Sequence, residues 1–342
     1  MIRRRQETLR VLLPAVVLAC AAACQPGGES PTDPSGRGTI ARERLAMGTF
    51  FKVQVFSDDA LGAEAAEAAI DAAFEEVARV EALLSEWRET SEISAVNREA
   101  GRRPVAVGSE LYDVVGLSLE LREQTAGAFD ITFAGCGRLW SFDLPRIPDA
   151  GEIESCLPRV GREIVLDPGN ATVFLPESEA RIGIAAIGKG YGVDRAAEVL
   201  ERHGVENYIV DGGGDIRLAG RKGERPWGVG IAHPRQPGRL YAALELDGGA
   251  VVTSGDYQKY FERDGVRYHH ILDPRTGRPA RRSAAVTVIA PDATRADALA
   301  TGLFVMGPEA GLALVETLPD VEALFFGPDL EVHRSSGFPE LR

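Results

Sequence analysis

The chain lacks the residues that most metal and redox centres are made from. It holds four cysteines and five histidines in 342 residues. Two of the cysteines, Cys20 and Cys24, fall at the very start, which leaves Cys136 and Cys156 for the rest. Two cysteines make neither a zinc site nor an iron–sulfur cluster. Positive charge is also scarce. The formal net charge is −13, and the first 23 residues carry four arginines against one glutamate, so the remainder is more acidic still. Such a surface repels phosphate backbones and argues against nucleic acid as a partner. An acidic protein that binds an anionic cofactor needs a cation in the site. No internal repeat of fixed period occurs. Neither the Walker loop nor the dinucleotide fingerprint is present.

What the chain does have begins with a targeting segment. Arg3, Arg4 and Arg5 precede an apolar run from Val11 to Ala23, too short for an ordinary membrane-spanning helix. Ala21, Ala22 and Ala23 lead into Cys24, a pattern that resembles a bacterial lipoprotein signal. Cys20 is a competing site. Cys24 is preferred because cleavage there gives the longer apolar stretch and leaves an even cysteine count. The expected organisation is a signal peptide over 1–23, a flexible tether over 24–39 and a folded domain over 40–335. Export would place Cys136 and Cys156 where a disulfide is allowed. Sequence separation does not tell a pair from two buried thiols.

Hydrophobic periodicity supplies the elements. Phe50 to Phe56 alternates and predicts a strand. Ile70, Phe74, Val77, Val80 and Leu84 predict a helix within 60–84. Helices are also expected at 111–121, 190–203, 295–306 and 308–318. A hairpin is expected over 164–175, and strands at 208–210, 227–231, 241–246, 286–290 and 323–326. Strands and helices mix without regular alternation, which favours α+β over a doubly wound sheet.

Four segments carry candidate chemistry. Asp297 and Thr301 lie four apart on a predicted helix, so they share a face. A carboxylate and a hydroxyl are hard oxygen donors suited to Mg²⁺. Gly188-Lys189-Gly190 opens a helix, where backbone amides and a lysine attract anions. Asp211-Gly212-Gly213-Gly214-Asp215 follows a short apolar strand and permits a sharp bend beside a ligand or in a plain hairpin. His269 and His270 precede the turn at Asp273-Pro274. His270, beside a carboxylate such as Asp256 or Asp273, is a candidate general base.

Taken in order, these segments and several others resemble the FAD:protein FMN transferases, also called the thiamine-biosynthesis lipoprotein family. The others are Met47-Gly48-Thr49, Leu84-Ser85-Glu86-Trp87, Gly127-Ala128-Phe129-Asp130, Leu139-Trp140-Ser141-Phe142 and Thr253-Ser254-Gly255. No single piece is specific; the ordered set is. The resemblance implies one α+β catalytic domain of mixed sheets, with surrounding helices and a central FAD cleft. It implies FAD contacts at Met47, Trp87, Ala128, Phe129, Asp130, Gly183, Lys189 and Leu272. Metal ligation falls to the Ala186 carbonyl, Asp297 and Thr301. One family variant has an acidic residue just before the threonine; here that place is Ala300, which lowers the ligand charge.

The implied reaction is Mg²⁺-dependent transfer of FMN from FAD to a Thr or Ser hydroxyl of an acceptor protein, with release of AMP. His270, assisted by Asp256, would receive the hydroxyl proton. The implied acceptors are subunits of membrane-bound electron-transfer complexes, on the extracytoplasmic side of a bacterial envelope to which Cys24 anchors the chain. Two other readings use the same residues. One is an FAD pyrophosphatase giving FMN and AMP; the other is a non-catalytic flavin-binding lipoprotein.

Overall fold

The structure is a computed structural model that describes residues 38–342. The signal segment 1–23, the lipidation candidate Cys24 and nearly all of the tether lie outside the described residues. Among the described residues, no helix is long and apolar enough to cross a membrane.

An eight-stranded sheet organises the chain. Its strands run, in spatial order, Gly38–Ala46, Thr49–Ser57, Tyr208–Gly212, Asp215–Ala219, Gly248–Gly255, Ala285–Ala290, Glu322–Phe326 and Val332–Arg334. Every neighbouring pair is antiparallel. With the helices gathered on one face, this is the α+β arrangement expected from the sequence.

Period-two alternation sorts side chains between the two faces. Phe51, Val53 and Val55 join Tyr208, Val210, Val286 and Val288 in the core beneath the helices. Ile209, Ile216, Leu218 and Val251 point the other way, where the hairpin Trp227–Ala232/Leu240–Leu246 covers them with Trp227, Val229 and Leu244. Truncating a fully buried side chain such as Phe51 to alanine should cost about 3–5 kcal/mol. The same alternation puts Asp215, in register with the buried Val252, on the helix face. A carboxylate is thereby placed under the helices.

Three helices pack in a row. Ala63–Leu84 buries Ala66, Ala69, Ile70, Ala73, Phe74, Val77 and Val80 at three- and four-residue spacing. Its small residues let it lie close to Gly188–Arg202, the lysine helix, which packs in turn against Ala293–Met306, the aspartate helix. Outside the sheet, the hairpin Tyr260–Arg263/Val266–His269 stacks Phe261 and Tyr268 with Trp140 and Phe142. Cys136 and Cys156 are disulfide-bonded in that region, with Cα atoms 5.6 Å apart; the open choice between a pair and two thiols falls to the pair.

Most elements fall where periodicity put them. The differences lie at low-apolarity segments. The strand Gly38–Ala46 is largely exposed, and Arg42 and Arg44 pair with Glu67 and Asp71 on the first helix. Its charge hid it from a periodicity reading, and it begins two residues before the sequence-read boundary. At the other end Phe338 is buried in the second core, and Arg342 N–H donates to the Ala243 carbonyl at 3.0 Å. The packed chain therefore continues past 335.

Candidate active site

The lysine helix begins at Gly188 after the turn 185–187. Its glycines at 188, 190 and 192 are buried. A Cβ on Gly190 would stand 2.1 Å from the Ala293 carbonyl oxygen and 2.9 Å from Asp297 Cβ. Only glycine lets the two helices cross there. A Cβ on Gly192 would stand 2.7 Å from Met47 Sδ. Met47 and Gly48 form the two-residue turn between the first strands, both with positive φ. The turn brings the Met47 side chain across the start of the lysine helix.

Gly190 N–H lies in the first turn of the helix, where amides have no acceptor within the helix. It donates instead to Asp297 Oδ2, at 3.1 Å. The Ala186 carbonyl, in the turn just before the helix, is half-buried and accepts no backbone hydrogen bond among the described residues. One turn further along, Asp194 accepts from Ala293 N (2.9 Å), Thr294 N (2.7 Å) and Thr294 Oγ1 (2.5 Å). Asp194 thus caps the aspartate helix from outside it, although burial pushes its carboxyl up. Two contacts one turn apart fix one helix against the other.

Lys189 points into this junction. Its Nζ is ion-paired with Asp215 and lies 3.9 Å from Asp297 Oδ1. Asp215 and Asp297 are 1% and 4% exposed. Burial and the neighbouring Asp297 push the Asp215 carboxyl well up, and Lys189 opposes them. For Lys189 burial works against the charge, but Asp215 and Asp297 outweigh it and hold the ammonium protonated. Asp215 is a site residue that sequence reasoning did not single out. Its signal was the triple glycine: Gly213 and Gly214 take positive φ, and the turn reverses the chain so that the next strand opens on Asp215. The segment is both a hairpin turn and part of the site.

The donor set fits a hard divalent cation. Asp297 supplies a carboxylate from the helix junction. Thr301, one turn on and half-buried, has no hydrogen bond from Oγ1 to any described residue, although a mid-helix threonine commonly bonds its i−4 carbonyl. The Ala186 carbonyl accepts no backbone hydrogen bond among the described residues. Among the described residues no group of three His, Cys, Asp or Glu side chains is placed to hold a metal. A cation here would therefore be held by one carboxylate and neutral oxygens, which suits Mg²⁺ completed by water and phosphate.

Trp87 and Gly183 form a flank. Trp87 is 77% exposed, and the Arg138 guanidinium sits 5.1 Å over its ring. Arg138 also pairs with Glu86 at 3.3 Å, while burial pushes the Glu86 carboxyl up. A Cβ on Gly183 would come within 2.9 Å of Glu86 Oε1, so the segment leading to the lysine helix passes directly beside Trp87's neighbour. An indole free on one face is available to a planar ring.

The other expected FAD contacts are placed differently. Ala128 and Phe129 are 1% exposed, and Phe129 packs beneath Gly302, the residue after Thr301. Asp130 turns its carboxylate inwards, accepting from Thr132 N (2.8 Å) and Thr132 Oγ1 (2.6 Å) and pairing with Arg122 at 3.1 Å. It shapes its own loop. Leu272 is buried with Trp140 and Ile153.

His270 and Asp256 are not brought together as a base and its helper. His270 Nδ1 lies 3.2 Å from the Lys259 carbonyl. A carbonyl only accepts, so Nδ1 carries the hydrogen and Nε2 keeps its lone pair. Burial, with His269, Lys189 and Lys259 nearby, pushes the imidazole down to about 4. Asp256 accepts two hydrogen bonds from Arg235, at 2.6 and 2.7 Å, and one from Arg267 at 3.3 Å. Its charge acts on the buried His269 rather than on His270. Asp273 is likewise engaged, by Arg275.

The model of the ApbE family matches residues 47–325. A Treponema pallidum protein named FAD:protein FMN transferase is 36% identical over 316 residues, covering 87% of each chain. A Klebsiella pneumoniae protein of the same name is 34% identical over 296 residues, covering 84% of this chain and 83% of its own. Among solved structures, the ApbE protein of Thermotoga maritima superposes with a TM-score of 0.80 at 33% identity, over 87% of this chain and 97% of that one. The flavin transferase ApbE of Vibrio cholerae gives 0.77 at 32% identity, over 88% and 98%.

Proposed function

The chain belongs to the ApbE family and is a flavin transferase, and from that premise we propose that it moves FMN from FAD to a Thr or Ser hydroxyl of an acceptor protein and releases AMP. The reading is supported chiefly by the junction of Lys189, Asp297 and the Ala186 carbonyl at one helix start. That junction combines a cation with a hard-metal donor set at the start of a helix. These are what a diphosphate requires.

In the proposed reaction the acceptor oxygen bonds to the FMN-side phosphorus. The bond from that phosphorus to the bridging oxygen breaks, and AMP departs with the electron pair. Mg²⁺, held by the Ala186 carbonyl, Asp297 and Thr301, would supply charge neutralisation for the diphosphate. Lys189 adds a second positive charge on the same side. His270 takes the hydroxyl proton at Nε2, the nitrogen left with its lone pair when Nδ1–H donates to the Lys259 carbonyl. Trp87 offers a stacking face to a ring of FAD, and Met47 lines the helix start. Asp256, committed to two arginines, is left as a supporting ion pair rather than a base.

The test is co-expression with a candidate acceptor, followed by in-gel flavin fluorescence after denaturation. Asp297→Asn should abolish covalent flavin while the melting temperature stays close to that of the wild type. Retained transfer would sink the metal assignment. AMP released equally with and without acceptor would favour FAD hydrolysis, and transfer-incompetent but tight FAD binding would favour a carrier.

We also propose export and lipid anchoring through Cys24, which places the acceptors among membrane-bound electron-transfer subunits outside the cytoplasm. The Cys136–Cys156 disulfide supports an oxidising compartment. Fatty-acid labelling that survives Cys24→Ser would refute the anchor site.

A further inference from the structure

Two carboxylates, Asp215 and Asp297, face one buried junction with side chains only 2% and 5% exposed. Like charges that close in a low-dielectric setting cannot both persist without a counter-ion. Lys189 is the counter-ion present. It is paired directly with Asp215 and stands 3.9 Å from Asp297. The Lys189 side chain is 32% exposed, far more than either carboxylate. It has room to move, whereas they do not. Asp297 is pinned by Gly190 N–H, and Asp215 by its place in the sheet.

We infer that Lys189 is a placeholder cation, which occupies the charge position of the divalent ion until metal and FAD arrive. The inference rests on the reading of Ala186, Asp297 and Thr301 as metal donors. The charge balance explains the design. Asp215, Asp297 and the ammonium together carry a single net negative charge, with Asp211 acting on Lys189 as a further carboxylate from the glycine turn. A divalent ion turns that into a single positive charge, and the diphosphate of FAD restores a negative one. Lys189 is then released from Asp297 and directed to the diphosphate, while Asp215 retains its base as a tether. Asp215 is accordingly a positioning residue for Lys189. A metal ion entering the FAD-free protein must compete with an internal ammonium, and removal of that ammonium should tighten metal binding.

The test uses Mn²⁺ as the probe, titrated into the FAD-free chain and followed by electron paramagnetic resonance. Lys189→Met should bind Mn²⁺ roughly tenfold more tightly than the wild type, since one nearby positive charge is gone. Lys189→Arg, which keeps the charge, should bind like the wild type. Asp215→Asn should bind more weakly, because Lys189 is then left to Asp297 alone. Mg²⁺ should also raise the melting temperature of Lys189→Met more than that of the wild type. A Lys189→Met chain that folds only once Mg²⁺ is added supports the same conclusion, and one that stays unfolded in Mg²⁺ overturns it. Unchanged or weaker Mn²⁺ binding by folded Lys189→Met, with binding abolished in Asp297→Asn, overturns the placeholder and spares the metal site. Undiminished binding in Asp297→Asn removes the metal site itself, and the placeholder with it.

Discussion

The amide of Gly190 donates to Asp297 Oδ2 at 3.1 Å, joining two helices at residues 107 apart in sequence. The bond satisfies a first-turn amide, orients a buried carboxylate and sets the closest approach of the lysine and aspartate helices. Catalytic geometry and helix packing therefore depend on the same glycine.

Gly190→Ala should then fail on both counts. The added methyl meets backbone at 2.1 Å, which no rotamer change relieves. A loss of about 2 kcal/mol or more in stability is expected, together with loss of flavin transfer even where the variant is held folded at low temperature. Denaturant titration and in-gel fluorescence measure the two. A variant as stable and active as the wild type would mean that the helices are not in contact there.

His270 should leave a signature in pH. Its folded-state value is held at about 4, below the ordinary 6.5 of an imidazole, chiefly by burial. Between these values the unfolded chain binds a proton that the folded chain does not. The resulting penalty is absent above about 6.5 and grows as the pH falls towards 4. His270→Gln does not titrate, so its melting temperature should fall less than the wild type's between pH 6.5 and 4.5. Transfer should drop by roughly 10²-fold or more if the side chain is the base. Parallel melting curves for the two proteins would contradict a depressed imidazole at position 270.

Asp256→Asn separates support from chemistry. The change leaves Arg235 and Arg267 facing a neutral amide. Destabilisation of roughly 2–3 kcal/mol is expected, below the full cost of a broken buried pair because both arginines are partly exposed. The acid limb of kcat/KM should stay where it was. A displaced limb would restore Asp256 as a participant in proton transfer.

The disulfide closes a loop across a sequence separation of 20, which corresponds to about 3 kcal/mol in the chain-entropy account. Adding reductant, or making Cys136→Ser with Cys156→Ser, should lower the melting temperature. The first protection lost on hydrogen exchange should be in 134–160, which holds the Trp140 end of the aromatic stack. A melting temperature indifferent to reductant would show that the bond is not formed in solution.

The sequence by itself determined the elements with strong periodicity and the side chains whose chemistry needs only local spacing. Asp297 and Thr301 share a helix face because a helix repeats every 3.6 residues, whatever surrounds it. Lys189 opens a helix because glycines flank it and an amphipathic run follows. The family was legible because many weak motifs occur in one order. The tertiary structure alone decided which charges meet. Asp215 and Asp256 are equally acidic in sequence, yet one faces Lys189 and the other is taken by two arginines. Sheet alternation chose the face of Asp215, and a separate loop brought Arg235 to Asp256. Pairing between residues distant along the chain follows from strand order and helix approach, and neither is encoded in any local window of residues.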